Sequence, residues 1–418
     1  MLKPQLQKLT VCRPILNDDL ITLLQHSLEN PDEPSLPYEF TARIIEKAEE
    51  LGLSGNLIRA YFIYILAYTE TIFSRMTERT NGNIGKSLRQ AFIKDMGTLS
   101  PFFQGQASAI LQTELLDNYE PTEKRIHESL DFLYKVMEKA DTAEKMTHAF
   151  LTFYHRYGYG DISSCKAFRW VDKRHELKGI ESFEDFSLSD IIGYEHQKKQ
   201  LINNTKAFLA GRPANNVLLI GARGTGKSSS VKALANEYFG QGLRLLQITK
   251  AQLTELPHIL TALRKFCSKR FIIFLDDLSF DEFETEYKYL KSAIEGGVES
   301  CPDNVLIYAT SNRRHLIKET WRDRTQEQDE LYRQDSMNET VSLSDRFGLV
   351  ITFLSPDQQQ YLAIIDHYLQ KENIFLEPQE LRILGHRWEL EHSGRSGRTA
   401  RQFVTHYLGQ IRKQKALQ

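Results

Sequence analysis

The chain has 418 residues, which at about 100–200 residues per domain implies two or three domains and a sizeable core. Hydrophobic residues make up 41% and charged residues 26%, the composition of a folded soluble chain, which excludes disordered, collagenous and membrane classes. With 53 basic and 55 acidic residues the net charge is −2, so no overall field holds a nucleic acid without specific contacts.

Residues 1–180 read as an all-α N-terminal domain. Phe40–Leu51, Leu57–Met76, Thr122–Ala140 and Thr142–Tyr157 carry apolar residues three and four apart, the period of an amphipathic helix. Tyr61, Phe62, Tyr64 and Tyr68 fall at that spacing and suit a helix core or a subunit interface better than a ligand box. The most apolar stretch, Ala60–Thr69, has ten uncharged residues, whereas a bilayer needs roughly 20, so no membrane span is expected. The first residues lack the apolar core and cleavage site of a secretory signal, and the expected compartment is the cytoplasm. Cys12, Cys165, Cys267 and Cys301 are widely separated and read as reduced thiols, not as a disulfide or metal framework.

Beyond a polar link at His175–Ser187 the texture changes. Short apolar runs at Asn216–Ile220, Leu243–Ile248, Phe271–Leu275, Val305–Ala309 and Leu349–Phe353 alternate with helical stretches. Parallel strands need long return connections, so the pattern predicts an α/β domain with a parallel sheet over 181–355. From Pro356 the pattern is helical again, a small subdomain over 356–418. No acidic residue follows Glu391, and the basic end is either a solvated helix face or an anion-facing one.

The first of these strands runs into Gly221-Ala222-Arg223-Gly224-Thr225-Gly226-Lys227-Ser228, a G-x-x-x-x-G-K-[ST] loop, and a helical stretch from Ser229 follows. Glycines let successive amide hydrogens face a phosphate, and the helix N-terminus adds partial positive charge. Lys227 then reaches the β- and γ-phosphates of a nucleotide, and the Ser228 hydroxyl suits Mg²⁺. The run Phe271–Leu275 ends in Asp276-Asp277, which sets two carboxylates at the carboxyl edge of a buried strand. Asp276 suits the metal and Asp277 the attacking water; a turn or helix cap is the structural alternative. Val305–Ala309 is followed by Thr310-Ser311-Asn312-Arg313-Arg314, where the Asn312 amide can bond both a γ-phosphate and a water. Arg313 and Arg314 are either functional or merely solvated.

The order of these motifs, with Asp345-Arg346-Phe347-Gly348 before the last strand and an arginine-rich final helix, resembles an AAA+ ATPase. In detail, Ile192-Gly193-Tyr194-Glu195, Ala214-Asn215-Asn216-Val217-Leu218-Leu219, Phe274-Leu275-Asp276-Asp277-Leu278-Ser279-Phe280, Tyr308-Ala309-Thr310-Ser311-Asn312-Arg313-Arg314-His315-Leu316 and Ser342-Leu343-Ser344-Asp345-Arg346-Phe347-Gly348-Leu349 resemble an uncharacterised bacterial family of AAA+ ATP-binding proteins, a domain of unknown function. The likeness covers about residues 185–410. It implies a P-loop NTPase sheet with a helical lid, ATP and Mg²⁺ as ligands, and ATP hydrolysis in a homo-oligomer. By position, Ile192, Gly193 and Tyr194 match the element packed on the adenine. Gly221 to Ser229 match the nucleotide-binding run containing Walker A, and Asp276 and Asp277 match Walker B with Asp in place of the usual Glu, which implies slower hydrolysis. Asn312 matches sensor 1 and Arg346 the arginine finger extended into a neighbouring subunit. Arg398 matches sensor 2, with Arg401 as the other register.

The segment Thr249–Leu256 lacks the aromatic-hydrophobic-Gly loop of protein-threading AAA+ machines, which disfavours an unfoldase of that type. The polar stretch Lys318–Glu339, with Trp321 and Tyr332, reads equally as a partner-facing loop or a disordered insertion. The expected role is remodelling or organising an unidentified protein partner recruited by the helical N-terminal domain. A slow nucleotide-gated switch and a DNA-associated loader are the alternatives, the last by analogy of fold alone.

Overall fold

The computed structural model describes residues 6–312 and 346–416, apart from 31, 34, 112–113, 125–126, 281–285, 296–300 and 393. Arg313, Arg314, Asp345 and the stretch Lys318–Glu339 lie outside the described residues. The chain separates into two compact units, one of Met1–Cys165 with Gly240–Gly242 and Lys265–Lys269, the other of Lys166–Phe239, Leu243–Arg264 and Arg270–Gln418.

The first unit is helical around an aromatic core that includes Phe62, Phe73, Phe92, Phe102, Phe150 and Tyr154. Phe73 and Phe92 stack with ring centroids 3.9 Å apart. Tyr61 and Phe62 are buried in this unit, and Tyr61 donates its hydroxyl to Asp18 at 2.9 Å. The helix expected over Leu57–Met76 is two, Leu57–Tyr68 and Ile72–Arg79. The break is a capping box: Ser74 N donates to Thr71 Oγ1 at 3.0 Å and Thr71 N donates to Ser74 Oγ at 2.9 Å. A hydroxyl that satisfies free helix-end amides outweighs an apolar period that runs on through the break. The helix expected over Thr122–Ala140 is confined to Glu128–Met137. Near the start of the chain, the buried Asp95 carboxylate accepts from the backbone amides of Thr10, Val11 and Cys12 at 3.1, 2.7 and 2.8 Å. Burial, reinforced by Asp95, pushes the Cys12 thiol well above the usual range.

The second unit is built on a sheet whose described strands are β1 (Ala167–Val171), β2 (Glu176–Gly179), β3 (Val217–Gly221), β4 (Leu243–Ile248), β5 (Arg270–Leu275), β6 (Val305–Ser311) and β7 (Leu349–Phe353). Their order is β2-β1-β4-β5-β6-β3-β7, with β1 and β2 antiparallel and every other pair parallel. β5 and β6 are central and buried almost throughout, as wholly apolar runs require. β1 and β2 are a departure from the helical reading of residues up to 180. Phe168 and Trp170 are buried while Arg169 is exposed, a period of two too short to stand out beside charged neighbours. The antiparallel β2 closes that edge of the sheet.

Because β6 lies between β5 and β3, the segments that follow these three strands meet along one carboxyl edge. Tyr308 on β6 is held from the side by the helix Glu195–Leu209, its hydroxyl 3.0 Å from Thr205 Oγ1 and 3.1 Å from Asn204 Nδ2. Three further helices, Gln358–Lys371, Pro378–Glu391 and Gly397–Ala416, pack around Tyr361, Ile365, Leu369, Phe403 and Val404. No helix among the described residues is long and apolar enough to cross a membrane.

Candidate nucleotide site

The loop after β3 turns back on itself through three glycines in the left-handed region, Gly221 (φ 142°), Gly224 (φ 75°) and Gly226 (φ 91°). A Cβ on Gly221 would collide with the Phe353 carbonyl of neighbouring β7, so this loop can leave the strand only through glycine. The helix Lys227–Tyr238 starts directly after it and points its free amides at the loop.

Lys227 is only 6% exposed. Its ammonium donates to the carbonyls of Gly221 and Ala222, each at 2.7 Å, and to Asn312 Oδ1 at 3.0 Å. Burial pulls its pKa below the usual lysine value, against the opposing charges of Asp277 and Asp276. Asn312 donates its Nδ2 to Asp277 Oδ1 at 2.5 Å, which links lysine, amide and carboxylate in one chain of hydrogen bonds.

Asp276 faces the other way along the edge. Its Oδ1 accepts from Ser228 Oγ at 2.5 Å and from Thr310 Oγ1 at 2.7 Å. Thr310 Oγ1 also accepts from the backbone amide of Asp277 at 2.9 Å, so one buried hydroxyl positions both aspartates. Asp277 takes a left-handed φ of 54°, uncommon for a residue with a Cβ and most tolerable in Asp and Asn, and its carboxylate has a different partner, Asn312, from those of Asp276. Thr310 did not stand out in the sequence; the register that sets Leu275 beside Ala309 is the signal that brings it next to the acid pair.

A cleft of about 1120 Å³ opens over this edge. Ile192, Tyr194, Arg223, Gly224, Thr225, Gly226, Lys227, Ser228, Ser229, Asp276, Asp277, Asn312 and Arg398 all line it. Of the remaining positions, Gly221 and Ala222 turn their carbonyls to Lys227, and Gly193 (φ 78°) packs on Gln360, whose Nε2 donates to the Ile192 carbonyl at 3.2 Å. Tyr194 donates its hydroxyl to the Leu354 carbonyl at 2.6 Å and stands 5.0 Å from the Phe353 ring. Arg223 is largely exposed, its guanidinium 3.8 Å from Asp277.

The final helix closes the cleft from the opposite side. Gly397 N donates to Gly224 O at 2.8 Å, which sets the helix start on the phosphate loop and brings Arg398 beside it. Arg401 also lines the cleft but lies over the rings of Tyr368 and Phe186 at 5.3 and 5.5 Å. Trp388, stacked on His392 at 3.8 Å, and His406 add an aromatic wall that the sequence reading did not single out. Arg346 is not among the lining residues; it pairs with Glu295 on the helix Tyr287–Glu295.

The parallel sheet, the glycine loop feeding a helix and the helical lid make this an α/β P-loop NTPase fold of the AAA+ type, accompanied by an all-α N-terminal unit. No curated protein matches the chain. Similar solved structures include the RuvB Holliday junction branch migration motor of Thermotoga maritima, at 19% identity over 51% of this chain and 61% of that one, with a TM-score of 0.35. Another is the FIGL-1 AAA domain in complex with ADP, at 22% identity over 55% of this chain and 75% of that one, with a TM-score of 0.37. The chain thus spans 61% of the RuvB chain it matches. The family model described as a protein of unknown function, DUF815, matches residues 163–411, more than half of the sequence, and the chain belongs to that family.

Proposed function

We propose that this protein binds ATP with Mg²⁺ and hydrolyses it, acting as a homo-oligomer that remodels or organises a protein partner held by its helical N-terminal domain. The observation that carries the reading is the convergence of Lys227, Asn312 and Asp277 on one side of the glycine loop, and of Ser228, Asp276 and Thr310 on the other. The donors suit the charge they would meet: loop amides, an ammonium and Arg398 for phosphates, a hydroxyl and a carboxylate oxygen for a hard cation. Ile192 and Tyr194 offer an apolar wall for a base, and the cleft volume suffices for a nucleoside triphosphate.

Ser228 and Asp276 would hold Mg²⁺, which supplies neutralisation of phosphate charge. Lys227 would hold the β- and γ-phosphates. Asn312 and Asp277 would orient the attacking water, with Asp277 as its proton acceptor. Arg346 would act in a neighbouring subunit, a role supported by its absence from the lining of its own cleft. In this division of labour, the helical unit up to Cys165 recruits, the sheet-bearing part from Lys166 to residue 355 binds nucleotide and 356–418 form the lid.

A slow nucleotide-gated switch is the second reading, favoured by Asp277, whose carboxylate is one methylene shorter than Glu and already bonded to Asn312. A DNA-associated role has no support from the net charge of −2. Lys227→Ala tests the reading: losing a buried charged donor to phosphate costs about 2–4 kcal/mol, a drop in ATP affinity of roughly 30- to 800-fold by calorimetry. Unchanged affinity and turnover would overturn the assignment.

A further inference from the structure

At the end of β1 the chain makes a tight turn, Asp172–Arg174, and His175 leaves it in the left-handed region with φ 48°. Glu255 begins the helix Leu256–Leu263 as its N-cap, and His258 follows three positions later on the same face. Tertiary structure brings these three residues together. The imidazoles of His175 and His258 have centroids 4.5 Å apart, and His175 Nδ1 is 3.1 Å from Glu255 Oε2. One ligand atom from each residue lies within 4.8 Å of the other two.

Glu255 Oε2 is buried and has no hydrogen-bond partner, although an imidazole nitrogen is 3.1 Å away. A close contact that is not a hydrogen bond leaves a carboxylate oxygen desolvated at a cost. Two donor atoms that approach closely without pointing at each other are what a shared cation requires, since bonds of 2.0–2.1 Å at a tetrahedral centre set their ligand atoms about 3.3 Å apart. The turn is already fixed to the helical side: Gln252 donates its Nε2 to Asp172 Oδ1 at 2.7 Å and to the Trp170 carbonyl at 3.2 Å. His175 and His258 are exposed, which leaves an entry path.

We infer that His175, Glu255 and His258 form a binding site for a late first-row divalent cation, Zn²⁺ foremost, with a remaining position for water. Two imidazoles and one carboxylate suit Zn²⁺, Co²⁺ or Ni²⁺ and exclude Mg²⁺, which takes oxygen ligands in octahedral geometry. None of the three residues lines the nucleotide cleft, so the site is independent of the ATP reading. A bound ion would tie the β1–β2 turn to the helix Leu256–Leu263 and stabilise the fold in proportion to its concentration over Kd.

The test titrates the full, chelator-stripped chain with ZnCl₂ against a chromophoric chelator, without nucleotide, and follows thermal unfolding in parallel. The expected result is one equivalent of Zn²⁺ per chain, a rise in Tm that MgCl₂ does not reproduce, and a visible absorption band with CoCl₂. His175→Ala and His258→Ala, both at exposed positions, should each weaken Zn²⁺ by at least 30-fold and abolish the Tm rise; Glu255→Gln should do the same. A parent chain that takes up no stoichiometric Zn²⁺, or histidine variants that bind it as tightly as the parent, would overturn the proposal.

Discussion

Ser228 and Asp276 are 48 positions apart in the chain, yet the Ser228 hydroxyl donates to the Asp276 carboxylate at 2.5 Å. They meet because β3 and β5 both flank β6 and all three end at the same edge. A hydroxyl from a helix start and a carboxylate from a strand end, each held by its own element, form a rigid pair of oxygen donors. Thr310, at the end of the intervening strand, fixes the carboxylate from the third direction.

The two aspartates are expected to separate functionally. Asp276→Ala should remove most of the Mg²⁺-dependent increment in ATP affinity, about tenfold or more, while Asp277→Asn should bind ATP nearly as the parent does and hydrolyse it at least 10²-fold more slowly. Calorimetry with and without Mg²⁺, together with phosphate release, measures both. Parental turnover in Asp277→Asn would remove that residue from the reaction.

Thr310→Val keeps the shape of the strand end but deletes the hydroxyl shared by Asp276 and the Asp277 amide. Losing one buried hydroxyl and leaving an amide without its acceptor costs roughly 1–3 kcal/mol. The expected outcome is impaired hydrolysis and weaker Mg²⁺-dependent binding, with Thr310→Ser restoring both. A Val variant with parental kinetics would make Thr310 a packing residue only.

Arg346 decides between assembly-dependent hydrolysis and a local ion pair with Glu295. A partly exposed pair contributes roughly 0–1 kcal/mol, so on that account Arg346→Ala is silent. An arginine acting in trans is worth about 10³–10⁵ in rate. We expect specific activity to rise with protein concentration, Arg346→Ala to bind ATP without hydrolysing it, and a mixture with Lys227→Ala to recover activity at mixed interfaces. Concentration-independent turnover together with an active Arg346→Ala would favour the monomeric switch.

Asp95 makes a prediction for the helical unit that does not depend on nucleotide. Its carboxylate is fully buried and accepts three consecutive backbone amides and the Thr10 hydroxyl, at 3.0 Å for the last. Asp95→Ala strands those amides and should lower stability by about 3–5 kcal/mol, whereas Asp95→Asn, which keeps one acceptor oxygen, should lose less. Chemical denaturation of the two variants against the parent gives the comparison.

Local information carried much of this protein. The strands β4 and β7 follow directly from their apolar runs, and the phosphate loop is a contiguous motif whose glycines, lysine and serine need no distant partner to be recognised. Aspartates at the end of a wholly apolar run could be set at a sheet edge for the same reason. Whatever depends on pairing was decided by the tertiary structure. β2 holds a single large apolar residue and β1, though mostly apolar, is only five residues long beside charged neighbours; β1 becomes a strand because β4 offers Ala167, Phe168 and Arg169 a parallel partner, and β2 because it pairs antiparallel with β1. The break at Thr71 was hidden because a capping hydroxyl competes with a hydrophobic period that continues through it. Thr310 gained its place from the register of β6 on β5, Arg346 its partner Glu295 from a helix 51 positions earlier, and His175 its neighbours from a turn about 80 residues before them. Sequence period reports what each segment prefers by itself; convergence of side chains from separate elements depends on strand order and register, which no single segment contains.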